Sequence, residues 1–538
     1  MQRVAIFGGG VAGLSAAHEL CERGFAVEVF EKKPLFGGKA RSLSVPGTAT
    51  GARRDLPGEH GFRFFPGFYR HLPDTMSRIP FGAGTSVADN LTHATRILLA
   101  RTGAPPIDLP ARLPRDTQDW TIALHAMLTG IGIPDDEVLY FIERLLVLLT
   151  TCPKRRLREY EGISWWNFIG AATRSLPYQT MLAQGLTRSL VALRAEEGST
   201  RTVGYTLLQL FAGIISPDGF DRLLTGPTSE VWIGPWVEYL KSRNVVFHSG
   251  AMAVSFGLSA AGVDGVVVET AAGRGTVRAD YYLAALPVEV MSPLISPDVA
   301  KGAPSLAGIG RLEKRWMNGI QFYLRTDVPL GYGHTVYTGS PWALTSISQK
   351  QFWTNAPLED FGTGTVGGIL SVDISEWEKP GVLFGKPANA CTADEIAKDV
   401  WAQLKLHLNI GAGIVIDDSN LLSWFLDPDI EFPNQSGVSN QEPLLVNTIN
   451  SLQYRPDAVT EIPNLFLASD YVRTFTDVAC MEAANEAARR AVNGILARSG
   501  SSASVTLWPL KEPDVFAPFR EYDQVRLSLG LPHASFAL

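Results

Sequence analysis

Val4-Ala5-Ile6-Phe7-Gly8-Gly9-Gly10-Val11-Ala12-Gly13-Leu14-Ser15-Ala16-Ala17 is the stretch whose reading decides the fold. Val4 to Phe7 is a short apolar run of strand length, and Gly8 to Gly13 punctuates it as a tight turn. Val11, Leu14, Ala17, Leu20 and Cys21 then recur at helical spacing until Gly24, after which Phe25, Val27 and Val29 alternate toward Glu31. Strand, helix and strand within about 30 residues make a parallel crossover unit. Gly8, Gly10 and Gly13 satisfy G-x-G-x-x-G, a spacing that carries little weight alone in a chain with 51 glycines. Its context carries the weight: a strand precedes it, a helix opens on it, and an acid closes the next strand. Gly8 permits the turn, Gly10 the close approach of a pyrophosphate, and Gly13 tight packing of helix on strand. Val11 and Ala12 begin the helix, whose free N–H groups and dipole favour phosphate, and Glu31 is placed to accept hydrogen bonds from ribose hydroxyls.

Outward from this unit, composition narrows the class. The 538 residues are 46% hydrophobic and 19% charged, the usage of a folded, core-rich protein. The formal net charge of -7 offers no basic field for a phosphate backbone, so nucleic acid is not an expected partner. Cys21, Cys152, Cys391 and Cys480 are far apart and the nine histidines show no ligand spacing, so neither a disulfide framework nor a metal is expected. No G-x-S-x-G elbow suggests a hydrolase. The N-terminus lacks the apolar core of a secretory signal and no run approaches 18 uncharged apolar residues, which predicts a cytoplasmic protein.

Strand patterns return at Val245 to Phe247, Val266 to Val268 and Tyr281 to Leu286, and Leu465 to Leu467 leads into an Ala-rich helix from Met481 to Leu496. The expected fold is α/β, with a discontinuous nucleotide-binding domain (1–90, 225–300 and 440–498) and an interleaved α+β substrate domain (91–224 and 301–439). Residues 499–538 read as a tail laid over the surface.

Lys32-Lys33-Pro34-Leu35-Phe36-Gly37-Gly38-Lys39-Ala40-Arg41 follows Glu31, and here the chain resembles the two-dinucleotide-binding-domain flavoproteins, specifically the superfamily of flavin-containing amine oxidases and phytoene-type desaturases. The resemblance implies an FAD/NAD(P)-binding Rossmann-like fold and bound FAD. It places Lys32, Gly37, Gly38, Lys39, Ala40 and Arg41 beside the pyrophosphate and ribityl chain, with Lys39 where the family usually has Arg. Asn464-Leu465-Phe466-Leu467-Ala468-Ser469-Asp470 is similar to the family strand whose acid, here Asp470, meets ribityl or pyrophosphate oxygens. Met481-Glu482-Ala483-Ala484 resembles the helix start at the pyrimidine end of the flavin, and the segment near Met252 resembles the strand that pairs with adenine. Gly61, Phe62 and Arg63, within Gly58 to Gly67, fall where desaturases place a strand under the isoalloxazine ring.

The same resemblance separates branches. Asn318, in Met317-Asn318-Gly319-Ile320, stands where amine oxidases carry a Lys, and Cys480 stands where they carry a cage Tyr. Tyr454-Arg455-Pro456 looks like the carotenoid- and squalene-type desaturase branch. That branch implies an oxidoreductase that desaturates or dehydrogenates an apolar isoprenoid-like substrate by hydride transfer to flavin N5. Trp165, Trp166, Phe168, Tyr178, Leu207, Leu208, Leu210 and Phe211 either line an apolar tunnel or form plain core. His60 and Arg63 are the polar candidates near the ring, as proton acceptor or charge stabiliser or as structural residues, and no catalytic residue is assigned. Val138 to Leu149 with Lys154-Arg155-Arg156-Leu157-Arg158 reads either as a membrane-contacting amphipathic helix with a basic flank or as a buried helix ending in a solvated loop. An amine or amino-acid oxidase, a flavin isomerase without net oxidation, and a non-enzymatic binding protein of the same fold remain the alternatives.

Overall fold

The computed structural model describes residues 1–110, 132–185, 187–214, 221–411, 413–433 and 438–534, with the side chains at 190 and 211–214 outside that description. The opening unit folds as its pattern dictates: β1 (Arg3–Phe7), α1 (Val11–Glu22) and β2 (Ala26–Glu31). Three distant segments complete the sheet, β3 (Val246–Ser249), β4 (Tyr281–Ala284) and β5 (Leu465–Leu467), in the order β3-β2-β1-β4-β5 with every neighbouring pair parallel. A parallel sheet is covered on both faces, and its inner strands are accordingly continuous apolar runs: Val4 to Phe7, Leu283 to Ala284 and Leu465 to Leu467 are all buried.

The helix α2 (Met481–Arg498) lies along α1 on this sheet. Ala487, Ala488, Ala491, Val492, Ile495 and Leu496 repeat at the spacing of one helical face, and their small size lets the two helices approach closely. Asn485 fixes the crossing by donating to Ser15 Oγ at 2.8 Å and Thr75 Oγ1 at 2.9 Å. An antiparallel three-stranded unit, Met252–Ser259, Gly262–Thr270 and Gly273–Val277, stands between β3 and β4.

The second layer is a seven-stranded sheet in the order Leu421–Leu426, Asn318–Leu324, Gly368–Ile374, Thr345–Ser348, Gly333–Thr338, Arg96–Arg101, Ala104–Pro110. Its last two strands come from the first insertion, so both insertions share one sheet. The alternation of strand side chains divides its faces. Ile320, Phe322, Leu370, Val372 and Ile374 pack on the helix Ala393–Leu408 through Ile396, Val400, Trp401 and Leu404. Gly319, Gln321, Ser371 and Asp373 occupy the opposite face, toward the nucleotide-binding sheet.

Helices Asp135–Thr150, Trp165–Phe168 and Thr200–Ile214 build a separate core around Phe141, Trp165, Tyr178 and Leu207. The segment read as a tail departs from expectation. It contains the helix Ala517–Ser528, anchored because Asp523 is buried against Arg155 Nε at 2.8 Å and accepts from Cys152 N–H at 2.9 Å. Ahead of it Val505 N–H donates to Asn493 and Trp508 N–H to His71, while Glu512 binds Arg156 and Tyr205. Paired charges, rather than loose polar surface, hold this segment down. Residues 535–538 of the expected tail lie outside the described residues.

Candidate functional site

A cavity of about 330 Å³ opens where the two layers meet, at the carboxyl ends of β1 and β4. Its first wall is the turn after β1. Gly8 has φ +104°, and a Cβ there would lie 2.2 Å from the Ala285 carbonyl oxygen, so only glycine serves both needs. Gly10, Val11 and Ala12 line the cavity at the start of α1. The first in-helix acceptor bond is made by Leu14 N–H to Gly10 at 2.9 Å, no side chain caps the helix, and no acid stands in its first turn. The N–H groups ahead of Leu14 are therefore open to an anion.

Glu31 is buried at the end of β2, where its carboxylate accepts from Gly9 N–H at 2.8 Å and Lys33 N–H at 2.9 Å. Those bonds hold it against the cavity, with lone pairs left for ribose hydroxyls. Lys32, Gly37, Gly38, Lys39 and Ala40 continue the wall, and Gly38 approaches so closely that a Cβ would meet Gly10 Cα at 2.9 Å. From the remote segments come Met252, Asp470 and Met481. Gly61, Phe62 and Arg63 form the floor beside Phe64.

Gly13 borders no part of the cavity and has the packing role expected of it: a Cβ there would come 1.9 Å from the Gly8 carbonyl oxygen. Two residues depart from the expected roles. Arg41 does not line the cavity either. Its buried guanidinium donates to the Gly38 carbonyl at 2.6 Å and Asp429 at 2.6 Å and bridges Glu442 at 3.1 Å. The Lys39 ammonium, placed at the phosphates by the resemblance, is paired with Glu289 at 3.0 Å and donates to the Pro443 carbonyl. Acidic neighbours already pair both cations.

The substrate side also differs in detail. Asn318 faces away from the cavity and donates to Asp427 at 2.6 Å, while its neighbour Met317 forms the wall. Cys480 does line the cavity, beside Tyr69, and burial pushes its thiol up to about 12, leaving it neutral. Of the eight apolar residues considered for a tunnel, none of the seven whose side chains are described lines the cavity: Trp165, Phe168, Tyr178, Leu207 and Leu208 belong to the separate helical core, with Trp166 packed on it. Leu210 is buried away from the cavity, and the Phe211 side chain lies outside the described residues. Large aromatics at helical spacing filled a core.

Beneath the floor lies a network of buried charge. His60 Nδ1 is 2.6 Å from Asp427, and Lys33 bridges Asp429 and Glu442 at 2.6 Å each. Burial works to raise the Glu442 carboxyl, but His60, Arg41 and Lys33 outweigh it and hold it well below the usual range. His60, Asp429 and Glu442 are close enough to share a cation, and Lys33 with Arg41 already supplies one. Arg63 donates to the carbonyls of Gly61, Phe62 and Lys39, so it shapes the floor.

Three acids that line the cavity were not singled out from sequence: Glu442, already described, Glu289 and Asp373. Glu289 lines the cavity beside Lys39. Asp373, buried on the strand Gly368–Ile374, lines it as well, and burial pushes its carboxyl up to about 7 against the pull of Arg63 and His60. An acid on the strand face otherwise formed by Ile369 and Ser371 was the available signal.

The sequence pattern of the family described as flavin containing amine oxidoreductase matches residues 11–496. A zeta-carotene desaturase of Solanum lycopersicum is 24% identical over 511 residues, spanning 88% of this chain and 77% of its own. The zeta-carotene desaturase of Synechocystis sp. is 24% identical over 527 residues, spanning 92% of this chain and 97% of its own. Among solved structures, cyclohexylamine oxidase from Brevibacterium oxydans IH-35A aligns with a TM-score of 0.63 at 12% identity, covering 93% of this chain and 99% of its own, a likeness of fold.

Proposed function

The chain belongs to the flavin containing amine oxidoreductase family, and from that membership we propose that it is a desaturase of a linear, carotenoid-like polyene. It is an FAD-dependent oxidoreductase of the two-dinucleotide-binding-domain fold. The similarity to zeta-carotene desaturases along nearly the whole chain carries the substrate proposal.

The cavity supports this reading chemically. An amine is gripped as a cation by aromatic faces, and Cys480 offers none at the cage position. The wall here is Phe62, Phe64, Met317 and Leu444, surfaces that a hydrocarbon can fill. Bound FAD would supply the hydride acceptor. Gly8, Gly10 and the open end of α1 would hold its phosphates, Glu31 its ribose, and Asp470 its ribityl or pyrophosphate oxygens. The apolar wall would orient the polyene and keep water from the reacting carbons.

The FAD-loaded protein, mixed anaerobically with zeta-carotene in detergent micelles, is expected to lose its oxidised-flavin absorbance as a more conjugated polyene forms. Bleaching by primary amines with none by the polyene would overturn the proposal. Membrane contact extends the same reading, in a narrower form than the basic flank suggested. Arg155 and Arg156 are buried in ion pairs with Asp523 and Glu512, leaving Lys154 and Arg158 exposed, as are Leu139, Ile142 and Leu157. Among the described residues no helix is long and apolar enough to cross a membrane.

A further inference from the structure

A desaturation removes a hydride from one carbon and a proton from its neighbour, and the proton needs an acceptor within reach of the cavity. The polar groups on the floor can be sorted by what already holds them. Glu442 is neutralised by Lys33 and Arg41, and Glu289 faces Lys39. His60 is committed to Asp427, which Asn318 also holds. Asp373 is different: among the described residues it has no ion-pair partner, whereas Glu289, whose oxygens also make no hydrogen bond, has Lys39 at 3.0 Å. Only 5% exposed, it borders the cavity with an Oδ1 that makes no hydrogen bond, although the Phe62 N–H engages its carboxyl.

That oxygen is itself buried, with Gly61, which also borders the cavity, packed against it: a Cβ at 61 would sit 2.7 Å from Asp373 Oδ1. The strands beside Asp373 place Gly319 and Thr345 opposite it, so neither brings a charge. The charged and titratable groups acting on it are Arg63 and His60 from the floor and His334 from the strand Gly333–Thr338. His334 is itself anchored, with Nδ1 2.5 Å from Asp221 and its ring against Phe62 and Phe64.

We propose that Asp373 is the proton acceptor of the reaction, its Oδ1 taking the proton from the carbon adjacent to the one that gives up hydride. The inference rests on the desaturase reading. Two C–H bonds break: one leaves with its electron pair to FAD, and the other gives its proton to the carboxylate and its electron pair to the new C=C bond. The protonated Asp373 returns its proton to water when product leaves. A carboxyl held near neutrality suits the task, since it is partly ionised at working pH and basic enough to accept.

The test compares wild type with Asp373→Asn and Asp373→Glu, each loaded with FAD. With zeta-carotene as probe, Asp373→Asn is expected to slow anaerobic flavin reduction by about 100-fold or more, with partial rescue in Asp373→Glu. The wild-type rate should rise with pH through about 7 and level off, and the Asn variant should lose that step. A second readout needs no substrate. The reduced flavin's own N1 ionisation bends the curve of midpoint potential against pH in both proteins, so the readout is the difference between them: the wild-type and Asp373→Asn curves should diverge through about pH 7. An Asn variant reduced at the wild-type rate, or one whose potential follows the wild-type curve at every pH, overturns the proposal. A wild-type protein that the polyene does not bleach overturns the substrate reading alone, and the difference in potential then decides for Asp373.

Discussion

At the scale of single residues, the site is governed by a few positions where an added atom or a lost charge has a defined cost. Gly8→Ala would force a Cβ into the Ala285 carbonyl and a side chain into positive φ, so FAD binding should be lost with the protein destabilised. Flavin content after purification and a thermal melt check both. Asp373→Asn should act in the opposite sense on stability. The folded carboxyl titrates near 7 and an ordinary one near 4, so its favourable contribution is complete below about pH 4 and lost as pH rises through about 7. The Asn variant therefore gains on wild type by a few kcal/mol across that interval, read as a difference in melting temperature between pH 5 and pH 8. Gly8, Gly10 and Glu31 were legible from sequence because a glycine turn between strand and helix has one geometric meaning. Asp373 was not: its neighbours in space, Gly61, Arg63 and His334, are hundreds of residues away or on another strand.

At the scale of elements, the C-terminal segment ties the nucleotide-binding domain to the separate helical core. Asp523 on the helix Ala517–Ser528 is buried against Arg155, and Glu512 before it holds Arg156 and Tyr205. Asp523→Ala would leave the Arg155 guanidinium buried with one charged partner, the partly exposed Glu159, and the Leu531 carbonyl. The expected loss is about 3–5 kcal/mol, measured by denaturant unfolding, because an uncompensated buried charge costs more than the pair contributed. Proteolysis should then begin in the helices around Trp165, whose core that segment covers. This connection had no signature in sequence, since prolines and small polar residues read as a tail, and the ion pairs that overrule that pattern link positions more than 350 residues apart. The helix Asp135–Thr150, by contrast, was legible from its periodicity, though its basic flank was misjudged because the partners of Arg155 and Arg156 come from the far end of the chain.

At the scale of the whole molecule, FAD would bridge parts of the chain that meet only in the folded state. β1 and β2, the strand from Met252 and α2 each contribute a wall, so binding is linked to their assembly. Saturating FAD should therefore raise the stability of the apo protein by about 4 kcal/mol at a thousandfold excess over the dissociation constant, read as an upward shift of the melting temperature. If peripheral contact accompanies the desaturase role, flotation with anionic liposomes should exceed that with neutral ones and fall when Lys154 and Arg158 are both replaced by Glu. The parallel sheet was legible as strands and a discontinuous pattern, but the seven-stranded sheet was not, because its partners are set by packing between two insertions rather than by any local period.

The discontinuity of the parallel sheet also sets a schedule for synthesis. β4 ends at Ala284 and its partner β5 begins at Leu465, so during translation the β4 edge stays unpaired for roughly ten to forty seconds at ordinary ribosome speeds. An exposed strand edge rich in apolar residues recruits other strands. The nascent chain thus passes through a stage in which its cofactor site is incomplete and its central sheet is open, and the yield of active protein should depend on chaperone supply more than on the stability of the finished fold.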